Sequence, residues 1–234
     1  MINKLSLVLV PGLLCDAALW RAQIEDLADM AQPWIADVTR DDSMTAMAAR
    51  ILAEAPAERF ALAGLSMGGY VAQAILRAAP ERVERLALLD TSAMADTPEQ
   101  TARRRGLIEL AEKGEFHGVT PRLLPFFLHP DRMSDRPLTE AVMAMTERVG
   151  KDAFLRQQRA IMGRPDNRPN LANIKCPTLV LCGRQDQMTP LAWSEDIAAL
   201  VPGARLAVIE YCGHLTTMER PWETSVALRQ WLTE

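Results

Sequence analysis

Gly64-Leu65-Ser66-Met67-Gly68 stands between two runs of different character. Ahead of it, Arg59-Phe60-Ala61-Leu62-Ala63 has the length and apolar content of a buried strand. Behind it, Gly69-Tyr70-Val71-Ala72-Gln73-Ala74-Ile75-Leu76 has those of a helix. A chain that passes from strand to helix in so few residues turns sharply. A serine at the apex is held in strained backbone, with its hydroxyl clear of the sheet. Small residues flank it because strand and helix nearly touch there. The motif therefore predicts a nucleophilic serine, Ser66. The bland alternative is a glycine-rich strand–helix turn that happens to contain serine.

The rest of the chain repeats the strand–helix rhythm. Strands are expected at 5–10, 34–38, 60–63, 83–89, 176–181 and 205–210, and helices at 18–30, 45–55, 70–78, 191–200 and 222–231. Asp42 and Ser43 are candidate N-caps for the second helix. Such alternation predicts an α/β fold, with a mainly parallel central sheet and helices on both faces. The rhythm breaks over 96–173, where helical stretches at 99–113, 138–149 and 153–162 follow one another without a clear strand. A core of 1–95 and 174–234 with a helical insertion at 96–173 accounts for the pattern. A chain of 234 residues is long enough to bury one large core.

A net charge of −4 argues against a nucleic-acid partner, which would require a basic face. The apolar run at the amino end leads into Pro11-Gly12 with no small-residue cleavage site, so it reads as a first strand rather than a leader. No segment has the ~18 uncharged apolar residues of a membrane span. Cys15, Cys176, Cys182 and Cys212 form no C-x-x-C pair, which speaks against a zinc site or a disulfide framework. A reducing cytoplasm is the expected setting.

A serine hydroxyl needs a base, and the base needs a carboxylate to hold its tautomer. The chain has three histidines. His214 follows a strand in Glu210-Tyr211-Cys212-Gly213-His214, at the carboxyl edge where sites of such sheets lie. His117 and His129 fall in the helical insertion and read as packing or capping residues. Asp186, in Gly183-Arg184-Gln185-Asp186, follows the preceding strand and gives the order serine, acid, histidine. Asp90, at the end of the strand 83–89, is its rival. The oxyanion of a tetrahedral intermediate needs two amide donors. One is expected from Met67, the other from Leu13 or Leu14 in the loop after the first strand.

These residues give the chain a family likeness. It resembles the α/β-hydrolase superfamily over almost its whole length, through 8–14, the Gly64–Gly68 turn, Gly183-Arg184-Gln185-Asp186, Gly213-His214, Pro80-Glu81-Arg82-Val83 and Glu219-Arg220-Pro221. In style it is most similar to small-cap bacterial carboxylesterases and 3-oxoadipate enol-lactonase-like hydrolases. The resemblance implies Ser66, Asp186 and His214 as the triad, Leu13 and Met67 as oxyanion donors, and 96–173 as a cap. It implies no cofactor and no metal. Many relatives carry His-Gly where this chain has Pro11-Gly12, so a histidine hydrogen bond at that loop is lost. Relatives that open epoxides or carbon–halogen bonds use aspartate at the turn, and Ser66 sets this chain apart from them.

The expected substrate is a small-molecule ester or lactone. Leu123, Leu124, Phe126, Phe127 and Met162 are candidates to line an apolar pocket over Ser66. Arg159 and Arg164 are candidates to hold a substrate carboxylate, while Arg103-Arg104-Arg105 reads as an exposed helix surface. An acyltransferase, a thioesterase and a carbon–carbon bond hydrolase share the same triad. The non-enzyme alternative is a small-molecule receptor that keeps the fold without turnover.

Overall fold

Side chains alternate along each strand and so build two apolar layers. Leu7 and Leu9, Ala61, Ala63 and Leu65, Ala87 and Leu89, and Leu179 and Leu181 face one side. Val8 and Val10, Phe60 and Leu62, Leu86 and Leu88, and Val180 face the other. A strand apolar on both faces belongs in the middle of a parallel sheet covered on both sides. A computed structural model, which describes residues 4–234, has this architecture. Met1, Ile2 and Asn3, the start of the run read as a strand rather than a leader, lie outside the described residues.

The strands are β1 (Leu5–Val10), β2 (Ala31–Ile35), β3 (Phe60–Leu65), β4 (Val83–Leu89), β5 (Thr178–Gly183) and β6 (Arg205–Ile209). They lie in the order β2-β1-β3-β4-β5-β6, with every pairing parallel. The order reverses between β1 and β3. Loops leaving these two strands diverge, which opens a crevice at their carboxyl ends.

The helices are α1 (Arg21–Asp26), α2 (Met44–Glu54), α3 (Met67–Ala78), α4 (Pro98–Glu112), α5 (Leu124–Phe127), α6 (Arg136–Met162), α7 (Arg168–Leu171), α8 (Leu191–Leu200), α9 (Thr216–Glu219) and α10 (Pro221–Thr233). Trp20 and Leu27 around α1 and Leu228 and Trp231 of α10 cover one face of the sheet. Met47 and Ile51 of α2, Val71 and Ile75 of α3 and Ile197 of α8 cover the other. No helix among the described residues is long and apolar enough to cross a membrane.

Local signals place most boundaries. Ser43, rather than Asp42, caps α2 by accepting from the Ala46 amide at 3.2 Å. Thr97 and Gln100 form a reciprocal capping box at the start of α4. The second strand lies three residues earlier than expected, at Ala31–Ile35 rather than 34–38. It is an edge strand, where Pro33 is tolerated because its missing N–H removes no ladder bond. The expected helix at 18–30 is a 3₁₀ turn, Ala17–Trp20, followed by the short α1.

Between β4 and β5 lie α4 to α7 and no strand. Within α6, Gly150 takes φ 76° and ψ 176°, so two helical lengths meet at a kink. These correspond to the separate stretches expected at 138–149 and 153–162. Val119, Leu124, Val142 and Met145 join the same apolar layer as Leu7 and Leu9, so the insertion packs onto the sheet's core.

Candidate active site

Ser66 ends β3 and begins α3 with φ 56° and ψ −116°, a region a non-glycine residue occupies only under constraint. The constraint is visible. The Ser66 amide donates to Leu89 O at 2.9 Å. Its carbonyl accepts from the Gly69 amide at 2.9 Å and from Thr91 Oγ1 at 2.7 Å. A Cβ on Gly64 would lie 2.3 Å from Gly68 O, and one on Gly68 2.1 Å from Val10 O. Both contacts are with backbone that cannot rotate away. Gly68→Ala is therefore expected to cost ~1–3 kcal/mol or more through overpacking, read as a melting temperature lower by roughly 3–10 °C. A melting curve superimposable on wild type would refute the packing argument.

His214, in the loop after β6, places Nε2 2.9 Å from Ser66 Oγ and Nδ1 2.8 Å from Asp186 Oδ2. An ionised carboxylate only accepts, so the Nδ1 proton lies toward Asp186 and Nε2 is free to accept from the serine hydroxyl. Asp186 is held by three further donors on its own loop. Its Oδ1 accepts from the Met188 and Thr189 amides at 2.8 and 2.9 Å, and Oδ2 from Thr189 Oγ1 at 2.6 Å. Burial raises the Asp186 pKa, but His214 and these donors outweigh it and hold the carboxyl below its ordinary value. Burial likewise opposes a charged imidazolium, yet the charge and hydrogen bond of Asp186 raise the His214 pKa above 6.5. The Thr189 contacts went unnoticed in the sequence, although an aspartate with a threonine three residues later is an Asx-type turn signature.

The histidine loop is clamped by a buried carboxylate. Glu219 accepts from the Gly213 amide at 2.9 Å and the His129 amide at 2.7 Å. The Phe127 carbonyl accepts from the His214 amide at 2.8 Å. His129 Nδ1 accepts from the Asp131 amide at 3.2 Å, a capping role, and His117 is exposed.

Asp90 is fully buried and does not reach His214's ring nitrogens. Its Oδ1 accepts from the Gly183 amide at 3.0 Å and its Oδ2 from Thr216 Oγ1. Burial, and then the nearby Asp186 charge, push its pKa well up. Asp90, Cys182 and Asp186 bring ligand atoms within 4.8 Å of one another. They do not make a metal-ligand set, because the Asp186 oxygens are occupied as described and burial holds the Cys182 thiol protonated.

The structure separates Leu13 from Leu14. The Leu14 amide donates to Gln157 Oε1 at 3.0 Å, with Leu14 itself at φ 59°. Gln157 Nε2 donates to Val38 O at 3.1 Å. Gln157 of α6 thus ties down the loop after β1, and Leu14's donor is used. Leu13 and Met67 both line the cavity at Ser66, and the Met67 amide, first in α3, has no intrahelical acceptor. Gln157 lies 143 residues from Leu14, a pairing without local signal.

The cavity over Ser66 measures about 100 Å³. Phe127, Val119, Val142, Met145, Ile161 and Leu215 supply apolar wall. Several expected lining residues lie elsewhere. Phe126 is 44% exposed and Leu123 38%, and Leu124 is buried in the apolar layer on the sheet without lining the cavity, so of this segment Phe127 alone reaches it. Met162 is not among the lining residues, and its neighbour Ile161 takes that position. Arg159 is on the exposed side of α6, paired with Glu112 at 3.0 Å. Arg164 is buried but spent on Asp96, Met94 O and Ile161 O, with its guanidinium 4.3 Å from the Tyr70 ring centroid. Conversely Arg104, read as exposed helix surface, lines the cavity.

Comparison with known proteins agrees with this architecture. The family described as the alpha/beta hydrolase fold matches residues 6–221. The putative carbamate hydrolase RutD of Azorhizobium caulinodans is 30% identical over 232 residues, which cover 92% of this chain and 86% of the relative. A thermophilic esterase from Thermogutta terrifontis, solved with malate bound, superimposes with a TM-score of 0.89 at 29% identity, covering 98% of this chain and 90% of the other. The enol-lactonase from Burkholderia xenovorans superimposes with a TM-score of 0.89 at 23% identity, covering 99% and 92%, a likeness of fold.

Proposed function

The chain belongs to the α/β-hydrolase family, and we propose that within it the chain acts as a serine hydrolase that cleaves a carboxylic ester or lactone through an acyl-enzyme. The observation that carries this reading is the unbroken line from Asp186 Oδ2 through His214 to Ser66 Oγ, at 2.8 and 2.9 Å. His214 Nε2 takes the hydroxyl proton as Ser66 Oγ attacks the carbonyl carbon. The Leu13 and Met67 amides hold the oxyanion, and Asp186 stabilises the imidazolium. Collapse of the tetrahedral intermediate expels the alcohol, which takes the proton from Nε2. A water then gives its proton to Nε2, attacks the acyl carbon and releases the acid, restoring Ser66. No step requires a cofactor or a metal.

Residues 96–173 act as the cap in this reading, on a core of 1–95 and 174–234. Phe127 packs beside His214, with ring centroids 6.2 Å apart, and closes one side of the acyl site. Four free cysteines, three of them buried, fit a reducing cytoplasm. A carbamate is the second substrate class, favoured by the 30% identity to a protein named a putative carbamate hydrolase. The same attack and the same oxyanion serve both carbonyls.

A series of p-nitrophenyl esters from acetate to decanoate, run beside a p-nitrophenyl carbamate, tests the reading. A cavity of about 150 Å³ admits benzene, so a cavity of about 100 Å³ favours short acyl groups. The expected kcat/KM is highest at about two to four carbons and about tenfold or more lower at decanoate. Flat rates along the series would refute the small acyl site, and no turnover of any member would refute the hydrolase reading.

A further inference from the structure

Resting on the serine-hydrolase reading, we infer that Arg104 makes the cavity selective for esters whose acyl or alcohol part carries a carboxylate. Among the described lining residues, Arg104 is the one whose side chain is charged at all working pH values. The other walls are mainly apolar, and a charge in such a setting acts more strongly than at an open surface.

The charges around Arg104 do not cancel. Asp96, 1% exposed, is shared by two arginines: Arg164 Nη1 lies 2.6 Å from Oδ1 and Arg104 Nε 2.7 Å from Oδ2. One carboxylate against two guanidinium groups leaves a surplus of one positive charge. Arg164 is 6% exposed and enclosed by backbone carbonyls and the Tyr70 ring, so it offers nothing to a ligand. Arg104 is 21% exposed and is the arginine that meets the cavity. Its Nε is taken by Asp96 and its Nη1 by the neutral Gln158 Oε1 at 2.8 Å. Its Nη2 has no acceptor among the described residues.

Arg164 alone would neutralise Asp96. The second arginine is therefore not needed for the ion pair, and Arg104 lines the cavity that holds Ser66 with a charge that Asp96 does not cancel. The group that fits is a compact anion able to accept from one guanidinium edge. A carboxylate meets that description in a cavity of about 100 Å³.

The test compares monoethyl glutarate with its neutral isostere, ethyl 4-carbamoylbutanoate, by kcat/KM. A parallel pair, 4-acetoxybenzoate and 4-acetoxybenzamide, places the charge on the alcohol side. Wild type is expected to favour the acid over the amide in one of the pairs by roughly ten- to a hundredfold, the range of a hydrogen bond to a charged group. Arg104→Gln, which keeps a donor for Asp96, is expected to bring that ratio below about threefold. Arg104→Met, which keeps the apolar stem, is the second variant should the first fail to fold. A wild-type ratio at or below one in both pairs overturns the inference. So does a ratio that survives in a folded variant. Ser66-dependent hydrolysis of p-nitrophenyl acetate without acid preference would sink this inference and leave the hydrolase reading standing. Failure of wild type on every ester would remove both.

Discussion

Ser66→Ala is expected to lower kcat/KM on p-nitrophenyl acetate by about 10⁴- to 10⁶-fold. The substitution removes the atom that His214 Nε2 contacts at 2.9 Å and leaves no second nucleophile in line. The amides of Leu13 and Met67, the proposed oxyanion donors, remain, so a residual rate above the uncatalysed reaction is expected from oxyanion stabilisation alone. Fluorophosphonate labelling, which needs the same activated oxygen, is expected to disappear. The fold is expected to persist. Alanine at φ 56° bears the same backbone strain as serine, and the Leu89, Gly69 and Thr91 hydrogen bonds use main-chain atoms. A variant retaining more than a tenth of the wild-type rate would show that the nucleophile is another group.

Asp186→Asn is expected to cost about 10⁴-fold in kcat. An amide at Oδ2 turns an acceptor into a donor opposite His214 Nδ1, so the neutral ring is driven to the tautomer that cannot accept from Ser66. The pH profile distinguishes this from loss of structure. In wild type the base must be neutral, and its pKa is raised above 6.5 by Asp186. Activity is thus lost as pH falls through a value above 6.5. Without that carboxylate, burial is opposed only by the smaller effects of Asp90 and Glu219, and the acidic limb of the residual activity is expected to move below wild type. A limb that stays in place would remove Asp186 from the role of raising the histidine pKa.

Asp90→Asn is the contrasting substitution. Its pKa is raised by burial and by Asp186, so the folded state holds the neutral acid more readily than the unfolded chain does. That contribution to stability is complete below the unfolded value near ~3.9 and is lost as pH rises through the folded value. An asparagine whose Oδ1 keeps the Gly183 bond presents its Nδ2 to Thr216 Oγ1, whose hydroxyl then turns to accept rather than donate. Its melting temperature is expected to match or exceed wild type above neutral pH, with activity far above that of Asp186→Asn. Equal losses in the two variants would mean that the two aspartates share one role.

Several features of the fold and candidate site were legible because they are local. Strand alternation at Leu7–Val10 appears directly as apolar runs, and the Ser66 turn is set in part within five residues by the close approach of Gly64 to Gly68, to which the contact of Gly68 with Val10 of β1 adds a distant one. The edge strand β2 departs from the expected 34–38 because its position depends on which neighbour lies beside Pro33, and that neighbour is Leu7 of β1. The cap's pocket face was read poorly for a related reason. On α6, Arg159 and Ile161 are two positions apart and differ in burial because of what packs against each. The run Arg103-Arg104-Arg105 looked like solvent surface because helical spacing alone does not reveal that Asp96 and Gln158 draw Arg104 inward.

The amino-acid sequence by itself determined the parallel sheet, the strained serine turn and the order of serine, acid and histidine. The first two follow from side-chain period and steric fit, and the third from which of these residues end strands. Tertiary structure alone shows that Asp186 rather than Asp90 contacts His214, that the Leu14 amide is taken by Gln157, and that Arg104 rather than Arg159 or Arg164 lines the cavity. What separates these residues is which of them spends its hydrogen bonds on distant neighbours. Asp90 is engaged by Thr216, Leu14 by Gln157 and Arg164 by Asp96, across 126, 143 and 68 residues. Such pairings arise from packing, and no local pattern encodes them.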